Sequence, residues 1–170
     1  MNLTTREIYE IGKKLLRQAS IGFDNFINEI EFAPITENPY VMVRDRDELA
    51  AFMLFDFKEY EDNAKRVLKS ILEEIEVPEE NYDSLTKIFR DSYVSLFRIR
   101  KEDDHFTFYD VLLDEYIEVE LDDSIEYSSA SKGLIRVFGK DERKMVLQVL
   151  QMISNKDFLT YKNNVDSLIN

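Results

Sequence analysis

Hydrophobic residues recur at steps of three and four over much of the first half of the chain. Thr4 and Glu7 have the spacing of a helix capping box. The apolar residues that follow them lie on one helical face: Ile8, Ile11, Leu15, Ala19, Phe23, Phe26, Ile27 and Ile30. Gly22 falls within this stripe and predicts a kink or a division into two helices. Pro34 and Pro39 predict a loop over 32–44.

Two more helical segments are predicted before residue 92. The second begins near Asp45 or Asp47 and continues to about Glu76. Residues 55–60 keep the helical phase poorly, so we expect a break there. Pro78 predicts the end of this segment and the start of a third helix over 79–91.

The hydrophobic period changes from about 3.6 to 2 residues after Ser92, which is typical of strands. We predict five strands, at 93–101, 106–112, 116–121, 134–138 and 145–153. Turns are predicted at Glu102-Asp103-Asp104, near Asp114-Glu115 and at Gly139-Lys140-Asp141-Glu142, and a last helix is predicted from Asn155.

The predicted fold class is therefore α+β. An N-terminal helical half of three to four helices, residues 1–91, precedes an antiparallel β meander of five strands with a closing C-terminal helix, residues 92–170. We expect the two halves to pack as one compact unit.

Composition narrows the class of protein. The 170 residues are 44% hydrophobic and include twelve Phe, which is ample for a core. The absence of Cys excludes disulfides, thiolate metal sites and cysteine nucleophiles. The longest apolar run, from Leu49 to Phe55, is far shorter than the roughly 20 residues of a membrane-spanning helix. With no signal-peptide pattern at the N-terminus, we expect a cytoplasmic protein that does not contact a membrane.

Charge is distributed unevenly along the chain. The net charge is −13, and eleven acidic residues with no Lys or Arg lie between Glu102 and Glu126. A one-sided carboxylate surface fits a basic partner or a cation. The pI near 4.6 argues against nucleic acid as a direct ligand, because affinity for phosphates comes mainly from Lys and Arg.

The most informative part of this acidic stretch alternates apolar and acidic residues. The alternation predicts a strand face that carries Glu118, Glu120 and Asp122, with Tyr109 and Tyr116 beside it. Alternate residues of a strand lie about 6.5–7 Å apart on one face, close to the distance between successive phosphates on one strand of nucleic acid. We therefore predict that these five residues bind a partner, and that the partner is a basic protein.

Basic residues elsewhere in the β half favour a second interpretation. Arg98, Arg100, Arg136 and Arg143 are placed to form cross-strand ion pairs with the acidic strands. The charge would then only keep the protein in solution. The corresponding alternative function is a bacterial cytoplasmic α+β domain that forms a homodimer.

Patterns that carry catalytic or metal chemistry are weak. His105, the single His, could act as a general base or metal ligand beside Asp103 and Asp104, but turns rich in Asp are also ordinary. Residues 122–126 (Asp-Asp-Ser-Ile-Glu) lack the Gly and the terminal Glu of an EF-hand calcium loop. Asp123 with the 142–144 segment (Glu-Arg-Lys) has the spacing of metal-dependent nucleases, a pattern that charged chains produce by chance. A divalent-metal-dependent enzyme is thus a second alternative, and we predict no catalytic residue, cofactor or metal.

Taken together, these patterns predict a non-enzymatic, acidic protein–protein interaction protein. The specific hypothesis is an inhibitor or regulator of a nucleic-acid-binding protein, of the same type as the anti-CRISPR and anti-restriction proteins of phages. Such a protein presents carboxylates to a groove that is built for phosphates.

Overall fold

A computed structural model of the chain describes residues 1–22, 50–56, 61–120, 132–140 and 142–152. The chain divides into two compact units, Met1–Ser92 and Tyr93–Asn170. The described part of the first unit is helical, and that of the second unit consists of five strands. The fold is α+β.

Helix α1 spans Thr5–Ile21 and begins with the predicted capping box. The Thr4 hydroxyl accepts the Glu7 backbone N–H at 3.1 Å, and the Glu7 carboxylate accepts the Thr4 backbone N–H at 2.7 Å. The helix ends at Gly22, whose N–H donates to the Gln18 and Ser20 carbonyls. The predicted continuation of the stripe from Phe23 and the loop over 32–44 lie outside the described residues.

Within the second predicted helical segment, a π-helical turn spans Phe52–Asp56. Of the break predicted at 55–60, residues 57–60 lie outside the described residues. The π-helical turn is wider than an α-helical turn, and the three consecutive side chains of Met53, Leu54 and Phe55 are all buried in it. In a regular amphipathic α-helix, three consecutive residues do not all lie on the buried face. Helix α2 then spans Glu61–Glu74 and buries the apolar residues of one face: Ala64, Val67, Leu68, Ile71 and Leu72.

Helix α2 ends in a Schellman motif. The Val77 N–H donates to the Leu72 carbonyl, the Glu76 N–H donates to the Glu73 carbonyl, and Glu76 has a left-handed backbone with φ 63°. Pro78 follows, as predicted, and leads through a 3-10 turn over Glu79–Asn81 into helix α3, Tyr82–Asp91.

Helix α3 is tied to the π-helical turn by a buried arginine. Nη1 of Arg90 donates a 2.7 Å hydrogen bond to the Leu54 carbonyl, and Nη2 lies 3.7 Å from the Glu61 carboxylate. The rings of Phe55 and Phe89 stack with centroids 5.7 Å apart. In the part of the chain that the structure describes, no helix has the length and hydrophobicity needed to cross a membrane.

The described part of the second unit contains five strands. They are β1 (Tyr93–Lys101), β2 (His105–Asp110), β3 (Glu115–Glu120), β4 (Lys132–Lys140) and β5 (Arg143–Met152). All five were predicted, with small differences at their ends. Strands β4 and β5 extend further into the predicted turn, so that Lys140 pairs with Arg143. Strand β2 ends at Asp110, and the turn that follows it covers 111–114.

The strands form a closed barrel in the order β1-β2-β3-β5-β4, so the predicted antiparallel meander is wrong. In a meander β3 would lie beside β4, whereas here β5 pairs with β3 in parallel and β4 returns to β1. Alternation along a strand determines which face is buried but not which strand lies beside it. Strands β1 to β4 have Greek-key connectivity, because three consecutive antiparallel strands are followed by a fourth that returns to lie beside the first. The predicted C-terminal helix lies outside the described residues.

Aromatic and branched residues fill the barrel: Phe97, Ile99, Phe106, Phe108, Val119, Ile135, Val137 and Val146. The rings of Phe97 and Phe108 lie 5.2 Å apart at their centroids. The outward side chains of β4 and β5 near their shared centre are buried as well, including Phe138 and Leu147. Within the described strands, the accessible outer surface of the barrel therefore lies mainly on β2, β3 and the end of β1.

Candidate protein-interaction face

Strands β2 and β3 present a continuous outer face. Along β2 the buried residues Phe106 and Phe108 alternate with residues that reach solvent, and along β3 the same alternation buries Val119. The six outward residues are His105, Thr107 and Tyr109 on β2 and Tyr116, Glu118 and Glu120 on β3. We call them the carboxylate–tyrosine face. The side chains that alternate with them along the two strands point into the barrel, and this fixes the side on which the six residues lie.

The strand register arranges this face in three cross-strand pairs. Tyr109 lies opposite Tyr116, Thr107 opposite Glu118 and His105 opposite Glu120. Strand β1 extends two of these pairs, because Arg98 lies opposite Tyr109 and Arg100 opposite Thr107. One end of the face is therefore aromatic and the other end is carboxylate-rich.

The aromatic end consists of two tyrosines in contact. The ring centroids of Tyr109 and Tyr116 are 4.8 Å apart, with the planes inclined by 41°. The Tyr109 hydroxyl donates a hydrogen bond to the Asp114 carboxylate, which raises the pKa of that phenol. The Arg98 guanidinium lies over Tyr109 at 5.9 Å from its centroid. Tyr116 remains 72% exposed.

At the edge of the face, beside Thr107, the Glu102 carboxylate is paired, whereas the Glu118 carboxylate on the face projects into solvent. Nε of Arg100 donates to Oε1 of Glu102 at 2.6 Å, and the Thr107 hydroxyl donates to the same oxygen at 3.3 Å. The hydrogen bond from Arg100 is the main reason that the pKa of Glu102 lies below its ordinary value. Glu118 is exposed and forms no salt bridge with any residue in the described ranges.

The carboxylate-rich end contains the one histidine of the chain. Nδ1 of His105 lies 2.7 Å from Oδ1 of Asp104, and this hydrogen bond raises the pKa of His105 and lowers that of Asp104. Across the strand, Glu120 lies 4.0 Å from Nη1 of Arg143, at the limit of an ion pair. Both partners are exposed or half-exposed, so the pairing contributes little.

Two of the four arginines predicted to neutralise the acidic strands lie within ion-pair distance of an acidic residue that the structure describes. Arg100 pairs with Glu102, and Arg143 is near Glu120, whereas Arg98 stacks on Tyr109. Arg136 is 2% exposed, and its Nε donates to Oε1 of Gln148.

The sequence-predicted site is thus brought together for the residues that the structure describes. Tyr109, Tyr116, Glu118 and Glu120 lie on one face, as the alternation predicts, while Asp122 lies outside the described residues. Their role in binding stays a prediction. His105 and Thr107 were not predicted as members, although the period of β2 places them beside Tyr109.

Sequence reasoning also missed a buried carboxylate that supports this face. Asp110 is 1% exposed, and its Oδ1 accepts from the Ser95 hydroxyl at 2.7 Å and from the Leu112 and Leu113 N–H groups at 3.0 Å. An Asp at the end of a strand, just before a turn, is the available signal. Burial, together with the Asp110 and Glu115 charges, raises the pKa of Tyr93 to about 12.

The candidate metal ligands do not form a cluster within the described residues. No group of three or more His, Asp or Glu side chains in residues 1–22, 50–56, 61–120, 132–140 and 142–152 could hold a metal ion. The segment 122–126, which includes Asp123 of the nuclease-like pattern, lies outside these ranges. Glu142 and Arg143 are exposed at the start of β5, and Lys144 is half-buried.

The fold and this face define a class: an acidic α+β protein whose closed five-stranded barrel presents carboxylates and tyrosines on its β2–β3 side. Comparison with known proteins gives no match among family models, curated proteins or solved structures.

Proposed function

We propose that this protein is a non-enzymatic binding protein that docks on a basic protein partner through the carboxylate–tyrosine face. The observation that carries the proposal is the arrangement on β3, where Tyr116 and Glu118 are both exposed on the same face. An exposed tyrosine supplies apolar contact area, and a neighbouring carboxylate supplies charge selectivity. Interfaces combine these two contributions.

The charge of the whole chain supports a basic partner. A net charge of −13 attracts a cationic surface over long distances and accelerates the encounter. Glu118, Glu120 and the carboxylates of the β1–β2 turn would then fix the orientation of the bound partner. Such electrostatic complementarity contributes mainly to rate and specificity.

We further propose that the partner is a nucleic-acid-binding protein, which this protein inhibits or regulates. Glu118 and Glu120 alternate on one strand, about 6.5–7 Å apart, so they can occupy a groove whose Lys and Arg residues bind successive phosphates. OB folds are five-stranded Greek-key barrels that bind oligonucleotides on the face of strands 2 and 3, and we compare the carboxylate–tyrosine face with that face by analogy of fold alone. Carboxylates on this face would repel a nucleic acid. They would instead attract the basic surface of a protein that binds nucleic acid.

The experiment is a quantitative pull-down from the native host with three forms of the protein. These are the wild type, the double reversal E118K/E120K and a matched control, E79K/E80K. The control changes the net charge by the same amount at the exposed 3-10 turn of the first unit. We expect the wild type and the control to retain one basic partner, the double reversal to lose it, and a duplex oligonucleotide to release it.

Retention of every partner by E118K/E120K would contradict the proposal. If E118K/E120K and E79K/E80K lose the partner equally, net charge alone explains the loss, and this result would also contradict the proposal. The alternative of a homodimer with solubilising charge predicts a solution mass twice the 20.2 kDa of the chain, independent of E118K/E120K.

A further inference from the structure

The pair of tyrosines on the carboxylate–tyrosine face can select a partner side chain by its shape as well as by its charge. Tyr109 is held by its hydrogen bond to Asp114, and Tyr116 packs against it with ring centroids 4.8 Å apart. Because Tyr116 is 72% exposed, much of its ring remains accessible to a partner. An exposed ring held in place by a neighbour loses little conformational entropy when it is covered.

The same aromatic pair already contacts one guanidinium within the chain. Arg98 lies over the Tyr109 ring, 5.9 Å from the centroid, on the strand next to β2. This contact shows that the aromatic end of the face accommodates a planar cation. Tyr116 lies on the other side of Tyr109, at the opposite end of the same cross-strand row.

The nearest outward residue on β3 after Tyr116 is a carboxylate. Glu118 projects from the same face about 6.5–7 Å along the strand, and it is exposed. A guanidinium that lies on the Tyr116 ring can therefore donate hydrogen bonds to the Glu118 carboxylate at its edge. Stacking and edge-on hydrogen bonding use different surfaces of the guanidinium plane, so one group can form both contacts.

We infer that the partner contributes an arginine side chain that stacks on Tyr116 and pairs with Glu118. This inference rests on the proposed function, since it specifies which residue of a basic partner binds the face. A lysine ammonium lacks the planar surface and the forked donors. A purely apolar side chain on Tyr116 would bury part of the Glu118 carboxylate without a partner, which is costly.

The test compares two peptides of equal charge, one of nine arginines and one of nine lysines, by fluorescence anisotropy at low and moderate salt. Wild type, Tyr116→Leu and Tyr116→Phe are titrated with each peptide. Tyr116 is largely exposed, so neither substitution disturbs the core, and circular dichroism verifies folding. We expect the wild type and Tyr116→Phe to bind the arginine peptide about two- to fivefold more tightly than the lysine peptide. Tyr116→Leu should bind the two peptides equally.

The outcomes separate this inference from the proposed function. If both peptides bind equally to the wild type, and E118K/E120K weakens both, the inference is wrong while the proposed function stands. A preference for arginine that persists unchanged in Tyr116→Leu also overturns the inference. If neither peptide binds at low salt, both the inference and the proposed function are wrong.

Discussion

The hydroxyl of Ser95 on β1 donates a 2.7 Å hydrogen bond to Oδ1 of Asp110 at the end of β2. Both side chains are buried. The same oxygen accepts the backbone N–H groups of Leu112 and Leu113, so one carboxylate oxygen joins β1 to the turn that leads into β3. The position of Tyr116, at the start of β3, depends on this buried connection.

Asp110→Ala is expected to destabilise the protein strongly, by about 3 kcal/mol, because three donors in a buried setting lose their acceptor. Asp110→Asn keeps an oxygen for these donors and removes a buried charge, so its cost should be less than half as large. Urea denaturation of the two variants gives the difference. Equal costs for Ala and Asn would show that the hydrogen bonds to Oδ1 do not support the turn.

Glu76→Gly is expected to stabilise the protein by about 1 kcal/mol. Glu76 occupies the left-handed position of the Schellman motif after α2, with φ 63°, where a side chain is unfavourable and glycine is preferred. The matched control is Glu73→Gly, inside α2, which should cost about 1 kcal/mol because glycine is a poor helix former. Thermal unfolding measured by circular dichroism distinguishes the two, and destabilisation by both would contradict the assigned geometry.

The pKa of His105 should lie above its ordinary value of 6.5, chiefly because its ring bonds to Asp104. Asp104→Asn should lower that pKa, whereas Asp103→Asn should change it less, because the imidazole bonds to Asp104. An NMR titration measures this directly, since the chain has one histidine. A pKa unchanged in Asp104→Asn would contradict the assigned hydrogen bond.

The sign of the linked stability effect follows from the raised pKa. Protonated His105 is favoured in the folded state, so its stabilising contribution is fully present below the unfolded pKa and is lost as pH rises through the folded pKa. The difference in unfolding free energy between wild type and Asp104→Asn should therefore be larger at about pH 5 than at about pH 8. The reverse trend would contradict the assignment.

Arg100→Gln should strengthen binding of a basic partner, by about two- to fivefold at low salt. Arg100 neutralises Glu102 at the edge of the carboxylate–tyrosine face, so its removal exposes another carboxylate to the partner. The control is Lys69→Gln, which removes one positive charge from a salt bridge with Asp83 in the first unit. Binding of the arginine peptide to both variants is measured by fluorescence anisotropy. If Arg100→Gln and Lys69→Gln change the affinity similarly, the position of the removed charge does not affect binding.

Local signals in the sequence predicted most of the elements. Residues close together in the sequence specify the capping box at Thr4, the helix end at Pro78 and the five alternating strands. The order of strands in the barrel was not predictable in this way. The parallel pairing of β3 with β5 joins residues as distant as Val119 and Lys144, and nothing in either strand's alternation specifies it.

The candidate site shows the same division between local and distant effects. The period of β3 placed Glu118 and Glu120 on one face, and the distance between them follows from strand geometry. Arg100 pairs with Glu102 only two residues further along the chain, a local contact rather than the cross-strand pairing that was predicted. The burial of Arg136 depends on packing between strands, so its own position in the sequence does not show it. Asp110 looked like part of an acidic surface because sequence alone does not show its three hydrogen-bond donors.

The most direct test of the central claim is an NMR map of the bound partner's footprint on isotope-labelled wild-type protein. Titration with the captured basic partner should shift the amide signals of 105–120, with the largest changes at Tyr116 and Glu118. The amides of α1 and α3 serve as the internal reference. Changes concentrated on those helices, with β2 and β3 unaffected, would contradict the proposal that the carboxylate–tyrosine face is the binding surface.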